Sequence, residues 1–235
     1  MDVSFLLTPP EGLTGVLTPE RLTTFRAWFI HEWTKDGDGA PTSEQELEED
    51  LQATVTLVDH LLQRGATALR EPPAGLQDSV VDLLDELSDF FTRGEDGPEG
   101  ELVLATDRKP DDRDLQAAEA IIGSACPERT RQLWRHLVWG RAPGMEVGQG
   151  IGLRRQVPSL GYWTGTEVKQ VRDDLREHLG GAPDYKPVRG LARFTSMLQR
   201  GLSLASRGNP AVALDAVTHA VDRAAREGAG LLFAR

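Results

Sequence analysis

The chain has a single cysteine, Cys126, among its 235 residues. One thiol excludes an intramolecular disulfide framework, and it excludes a zinc site made from several cysteines. No apolar run approaches the roughly 20 residues that a membrane-spanning helix needs, so no contact with a membrane is expected. The first ten residues lack the basic stretch and the long apolar stretch of a secretory signal peptide. We therefore expect a cytoplasmic protein.

Lysine and asparagine are scarce as well. The chain has 22 arginines but only 4 lysines, and Asn209 is its only asparagine. This bias is typical of codon use in a GC-rich genome. The abundance of arginine therefore does not by itself indicate phosphate binding.

What the chain does have is charge, and the charge is segregated along the sequence. Residues 1–128 carry 28 acids against 9 bases, whereas residues 129–235 carry 9 acids against 17 bases. The net charge of −11 is thus the sum of two halves of opposite sign. Such asymmetry is typical of a polyanion-binding surface, of an acidic tail, or of two halves that complement each other.

Short apolar runs near both ends of the sequence predict strands. Val3 to Leu7 ends at two prolines, and residues 230–234 follow Gly228. Because each run is too short to be stable alone, we expect the two to pair in one small sheet. A third strand is predicted at Glu101 to Thr106.

Most of the remaining sequence has apolar residues at the three- and four-residue steps of a helix. The start signals are a hydroxyl before Pro19, capping boxes at Ser43/Glu46 and Thr164/Glu167, and Asn209 before Pro210. The predicted fold is α+β, predominantly helical, with a small sheet that includes the N- and C-terminal strands. We treat 1–235 as a single domain; a subdivision into an acidic helical half (1–128) and a basic half (129–235) would fall near 93–128. Further predicted helices cover 76–93, Asp114 to Ala125, Pro127 to Trp139 and 188–207.

The stretch 144–163 is rich in glycine and arginine, and it is the candidate anion site. Closely spaced glycines expose backbone N–H groups that form a concave nest for phosphate, and guanidinium groups would add charge. Its G-x-G-x-G spacing matches neither the dinucleotide fingerprint nor a Walker A loop, and a surface loop is the alternative interpretation. The candidate residues in and around it are Gly148, Gly150, Gly152, Arg154, Arg155, Arg141, Trp139 and Trp163.

Arginines and aromatic residues alternate over 129–155, a pattern that suits single-stranded nucleic acid. Bases would stack on the rings while phosphates pair with the guanidinium groups. Two observations oppose this interpretation: Trp134 shares a helical face with Leu137 and Val138, which indicates a core position, and the net charge of −11 repels polyanions. Nucleic-acid binding therefore stays a secondary alternative.

No pattern in the sequence indicates catalysis, a metal or a cofactor. The five histidines have no ligand spacing, and no G-x-S-x-G nucleophile motif is present. Cys126 is interpreted as a buried inert thiol. We expect no metal and no cofactor, and we assign no catalytic residue.

The helix predicted at 76–93 carries a dense row of acids, which is the candidate partner-binding surface. A solvated helix face is the alternative interpretation. The leading functional hypothesis is a non-enzymatic protein-binding module, inhibitor-like, immunity-like or regulatory, that uses its oppositely charged surfaces. The alternative is an enzyme or sensor for a phosphorylated small molecule. The candidate acids are Asp78, Asp82, Asp85, Glu86 and Asp89.

Residues 160–168 read Leu-Gly-Tyr-Trp-Thr-Gly-Thr-Glu-Val. They resemble a Gly-Tyr-Leu-Thr-x-x-Glu-Val segment that enters a helix in the YfbM-like bacterial proteins of unknown function and their actinobacterial relatives. The ending at 224–233 is similar to the closing helix and strand of those proteins. The resemblance covers about a third of the chain, and Trp163 stands where those proteins have leucine. It implies an α+β fold, and it supplies no catalytic residue because these families have no established activity.

Overall fold

A computed structural model describes residues 2–35, 44–92, 102–141, 147–148, 160–180 and 208–234. These residues form an α+β fold of helices and one small antiparallel sheet, as predicted. The helices are α1 (Leu13–Val16), α2 (Pro19–Lys35), α3 (Glu44–Arg64), α4 (Ser79–Thr92), α5 (Asp112–Ala125), α6 (Glu128–Trp139), α7 (Gly165–Leu179) and α8 (Pro210–Glu227), with a 3-10 helix at Ala66–Arg70.

The two terminal strands pair, which confirms the prediction. The strands are β1 (Ser4–Thr8), β2 (Leu160–Trp163) and β3 (Gly230–Ala234), in the order β1-β3-β2. Both pairings are antiparallel and place Phe233 between Phe5 on β1 and Gly161 on β2. The strand nearest the C-terminus is therefore the central strand of the sheet.

Each strand sends alternate side chains to opposite faces of the sheet, and both faces are buried. Phe5, Trp163 and Phe233 lie in one hydrophobic core. Leu6 and Leu232 lie in the other. Such two-sided burial explains why the strand sequences are nearly continuous apolar runs and do not alternate with polar residues.

The two cores are completed by helices from different parts of the chain. Helices α1 to α4 contribute their buried residues to one core, and α5 to α8 contribute theirs to the other. Helix α4 contacts β2 and β3 from one side, while α6, α7 and α8 contact the same strands from the opposite side. The sheet therefore separates an early helical layer from a late one.

The helix starts predicted at Pro19, after Thr164 and after Asn209 agree with the structure. Helix α4 begins at Ser79, three residues after its predicted start, and α5 begins at Asp112, two residues before its predicted start. Thr164 and Glu167 form a reciprocal capping box at the start of α7, and the Asn209 side chain accepts from the Ala211 N–H at the start of α8. Asp111 and Asp114 form a further capping box that the sequence analysis did not identify. The predicted box at Ser43 and the predicted helix at 188–207 lie outside the described residues.

The strand predicted at Glu101 to Thr106 is wrong. Val103 and Ala105 do exchange backbone hydrogen bonds with the edge of β1: the Leu7 N–H donates to the Val103 carbonyl and the Ala105 N–H donates to the Phe5 carbonyl. The pairing stops at one isolated bridge, between Leu6 and Leu104. Val103 and Leu104 are 57% and 41% exposed, whereas Leu102 and Ala105 on either side of them are buried.

None of the helices in the described ranges is both long and apolar enough to cross a membrane.

Candidate functional site

Helix α4 presents one apolar and one acidic face. Its leucines at positions 83, 84 and 87 are buried in the early helical layer. The predicted partner-binding acids lie on the remaining surface of the helix. Asp78, just before the helix, is exposed, as are Asp82 and Asp89, while Asp85 and Glu86 are half-buried.

Carboxylates from two helices converge around Asp82. Partial burial raises the pKa of Asp82, and the negative charges of Asp85, Asp50 and Asp78 raise it further. Asp50 belongs to α3, so the negative patch extends from α4 onto its neighbour. Repulsion between these carboxylates is a cost that nearby positive charge would reduce.

The charge is also distributed unequally between the two layers. In the early layer, 13–35 and 44–92 carry 14 acids against 5 bases. The described residues beyond 128 carry 7 acids against 9 bases, and from the start of α5 onward the described residues carry 11 acids against 10 bases, so the late layer has little net charge. The other 8 bases of the second half belong to stretches that the structure does not describe. With the sheet between the layers, the acidic face of α4 points away from the described late helices.

A buried polar cluster lies on the other side of the sheet, beside the Gly-rich stretch. It is centred on Arg141, a predicted anion ligand, which is only 6% exposed. The Arg141 guanidinium donates to a Glu167 carboxylate oxygen at 2.8 Å and to the Tyr162 carbonyl at 3.5 Å. Its carbon also lies 4.5 Å from the centre of the Tyr162 ring. The charge of Arg141 is therefore balanced within the protein.

Glu167 holds this cluster to the start of α7. One carboxylate oxygen accepts both the Arg141 guanidinium and the Thr164 backbone N–H, the latter at 2.9 Å. The other oxygen lies 3.8 Å from the half-exposed guanidinium of Arg129. Capping explains the glutamate at this position, as predicted. Its pairing with Arg141 spans 26 residues of sequence, and no local signal points to it.

His136 completes the cluster and is almost fully buried. Its Nδ1 lies 3.1 Å from the Gly140 carbonyl oxygen, and its Nε2 accepts the Gly148 N–H at 2.9 Å. Burial lowers the pKa of His136, and the charges of Arg141 and Arg129 lower it further, against opposing effects of the Gly140 carbonyl and Glu167. A neutral ring whose two nitrogens are both occupied is poorly placed to act as a general base.

Apart from Arg141, the predicted anion-site residues fall into three groups. Trp163 is a core residue: it is fully buried, and its indole N–H donates to the Leu133 carbonyl at 3.0 Å. Trp139 is 43% exposed, and the backbone of Gly148 packs against the Gln132 side chain. The others, Gly150, Gly152, Arg154 and Arg155, lie outside the described residues.

The described residues offer neither a reactive thiol nor a group of metal ligands. The thiol of Cys126 is buried, and burial together with the negative charge of Asp174 raises its pKa to about 11, which disfavours the reactive thiolate. Within the described parts of the chain, no group of three or more histidine, cysteine or carboxylate side chains could hold a metal ion.

No protein-family model matches the chain, and comparison with the curated proteins and with the solved structures gives no match. The resemblance of the last third to YfbM-like proteins stays a prediction.

Proposed function

We propose that the protein is a non-enzymatic binding module whose acidic α4 face engages a positively charged surface on another protein. The observation that supports this most directly is the position of the carboxylates. They lie on the outer surface of the early layer, with the sheet between them and the late helices. In the described fold the sheet therefore separates this acidic face from the late helices.

Electrostatics explains what such a face contributes. A surface of one sign steers a partner of opposite sign toward it and orients the partner on encounter, mainly by raising the association rate. A cation placed near Asp82 would also reduce the carboxylate repulsion that raises the pKa of that residue. Inhibitory, immunity-like and regulatory proteins work through contacts of this kind, and a cytoplasmic location is part of the proposal.

The test is a charge reversal with a matched control. The variant Asp82→Lys with Asp85→Lys changes the charge of the acidic face by four units. The control, Asp173→Lys with Glu177→Lys, makes the same change at exposed acids on α7, in the late layer. The partner is first identified by co-purification with the wild-type chain, and its binding is then measured with purified components.

We expect the α4 variant to lose binding at least tenfold, mainly through a slower association rate, and the α7 control to bind like wild type. Binding of the wild type should also weaken as salt is added. Equal loss in both variants would mean that only net charge matters, and full binding by the α4 variant would contradict the proposal. Melting temperatures of both variants report whether the fold is retained.

The alternative function, binding of a phosphorylated small molecule, counted Arg141 among its ligands. The buried guanidinium of Arg141 is engaged by Glu167 and Tyr162, so it would have to break that ion pair to hold a phosphate. This alternative therefore depends on Arg154 and Arg155. Inorganic phosphate or nucleotides should raise the melting temperature if it holds, and Arg154→Ala with Arg155→Ala should remove the shift.

A further inference from the structure

The ring of His136 connects two points of the chain that are eight residues apart. Gly140 directly follows α6, and Gly148 belongs to the described pair 147–148. The hydrogen bond that Nδ1 donates to Gly140 and the one that Nε2 accepts from Gly148 thus hold both glycines against the end of α6. Residues 142–146, between them, are not described.

The partners of the ring determine its protonation state. A carbonyl oxygen can only accept a hydrogen bond, so Nδ1 beside Gly140 must carry a proton. A backbone N–H can only donate, so Nε2 facing Gly148 must present its lone pair. The structure therefore requires the neutral tautomer with hydrogen on Nδ1.

We propose that His136 is a pH-sensitive latch, which in its neutral form holds Gly148 against α6 and on protonation releases it. A proton on Nε2 would place two N–H groups against each other, and the hydrogen bond to Gly148 would be lost. Release would move Val147 away from the late core, against which it packs, and would separate Gly148 from Gln132.

The charged groups around the His136 ring strengthen the link between its protonation and the release of Gly148. The charged groups that act on His136 are Arg129 on α6, Arg141 after α6, and Glu167 on α7. Two of them are cations, and the single carboxylate is already engaged by Arg141. A buried imidazolium would thus meet net repulsion, so the proton is better accommodated when the Gly148 contact opens and water reaches the ring.

The sign of the pH effect follows from these contacts. The closed form disfavours the proton, whereas an open, hydrated imidazole titrates near its ordinary pKa of about 6.5. The stability of the closed contact between His136 and Gly148 is fully present above that pH and falls as the pH is lowered below it. At pH 5 the open population should be higher by roughly tenfold or more than at pH 7.5. This latch is independent of the acidic α4 face and of the function proposed for it.

The experiment follows the Gly148 amide by hydrogen exchange in the full chain between pH 7.5 and pH 5, with each rate corrected for the intrinsic effect of pH. Nitrogen-15 shifts of the histidine rings report the tautomer and the protonation of His136 in the same samples. We expect Gly148 protection to fall at least tenfold as His136 gains its proton. Protection of the Leu231 amide in the central strand should stay constant, which excludes global unfolding.

The variant His136→Gln removes titration while keeping an oxygen that can accept the Gly148 N–H, so its Gly148 protection should not vary with pH. The control His178→Gln, at an exposed histidine on α7, should behave like wild type. Unchanged Gly148 protection while His136 titrates would overturn the latch, as would a neutral ring with its hydrogen on Nε2. Both of these readings come from the wild-type chain, so they remain decisive if His136→Gln does not fold.

Discussion

Arg141 and Glu167 form an ion pair at 2.8 Å in which the two side chains are only 7% and 10% exposed. The pair joins the second residue after α6 to the first turn of α7. It also lies beside β2, because the same guanidinium reaches the Tyr162 carbonyl. Buried pairs of this kind contribute little against apolar replacements of both partners, but the removal of one partner is costly.

Arg141→Met should therefore lower the free energy of unfolding by about 3–5 kcal/mol, because it removes the buried partner of the Glu167 carboxylate and leaves only the half-exposed Arg129 guanidinium at 3.8 Å as its cation. The measurement is urea denaturation. The matched control is Arg26→Met, which breaks the ion pair with Asp59, where the side chains are 37% and 43% exposed. That control should cost about 1 kcal/mol or less. Equal losses of unfolding free energy in the two variants would contradict the conclusion that Arg141 and Glu167 form a buried ion pair.

The two tryptophans predicted for the anion site should differ strongly in their effect on stability. Trp163→Ala removes a fully buried ring that contacts Phe233 edge-on, and it should cost about 3–5 kcal/mol. Trp139→Ala changes a side chain that is 43% exposed, and it should cost roughly 0.5 kcal/mol or less. Chemical denaturation of both variants checks this, and a small effect at Trp163 would argue against its place in the core.

Gly161 tests the close packing of β2 against the end of α6. A Cβ at this position would lie 2.7 Å from the His136 carbonyl oxygen and 3.0 Å from the Phe233 ring. Because a backbone atom cannot move aside cheaply, Gly161→Ala should destabilise by about 1–3 kcal/mol. Gly123→Ala, in α5 with nothing within 4 Å, should instead stabilise by about 0.5–1 kcal/mol. Thermal unfolding distinguishes the opposite signs.

Asp82 should make the protein slightly less stable at neutral pH than in mild acid. Its raised pKa means that the folded state binds a proton more readily than the unfolded state does. The stabilisation of the folded state that the protonated Asp82 carboxyl contributes is present below pH 3.8, and it is lost as the pH rises through the folded-state pKa. Asp82→Asn should therefore stabilise at pH 7 and lose this advantage near pH 3.5.

Denaturation midpoints at the two pH values measure this difference, with Glu177→Gln on α7 as the control for loss of one exposed acid. Stabilisation by Asp82→Asn that persists unchanged in acid would show that its cause is not the carboxylate charge.

Cys126 should be unreactive in the folded protein. Burial and the nearby carboxylate of Asp174 raise its thiol pKa to about 11, so little thiolate forms at pH 8. Labelling by a soluble disulfide reagent should proceed only after denaturation. Cys126 then reacts, and one equivalent of the reagent's thiol is released per chain. Rapid labelling without denaturant would mean that α5 and α6 open locally at their junction.

The sequence predicted the helices and the terminal strands because their signals are local. Pro19 after a hydroxyl, the Thr164/Glu167 pair and Asn209 before Pro210 each involve neighbours within one turn. Local signals failed at 101–106, where a β-rich composition suggested a strand. A strand needs a partner along its length, and the sequence carries no information about where that partner ends.

The candidate sites also divide into features that follow from the local sequence and features that depend on tertiary contacts. The acids of α4 were predicted from their spacing, since the apolar face of an amphipathic helix determines the opposite face. Trp163 was predicted beside arginines at an anion site, and the structure places it in the core. Its burial depends on β2 joining β3, whose partner residues lie some 70 positions later in the sequence.

Composition and local pattern alone thus determined the fold class, the capped starts of α2, α7 and α8, the presence of the two terminal strands and the acidic character of the first half. Only the tertiary structure decided that a central sheet separates the two layers, that Arg141 is neutralised by Glu167, and that His136 joins Gly140 to Gly148. The physical reason is the sequence distance over which each kind of interaction acts. Capping and periodicity act within a few residues, whereas buried ion pairs and sheet order depend on contacts between distant parts of the chain.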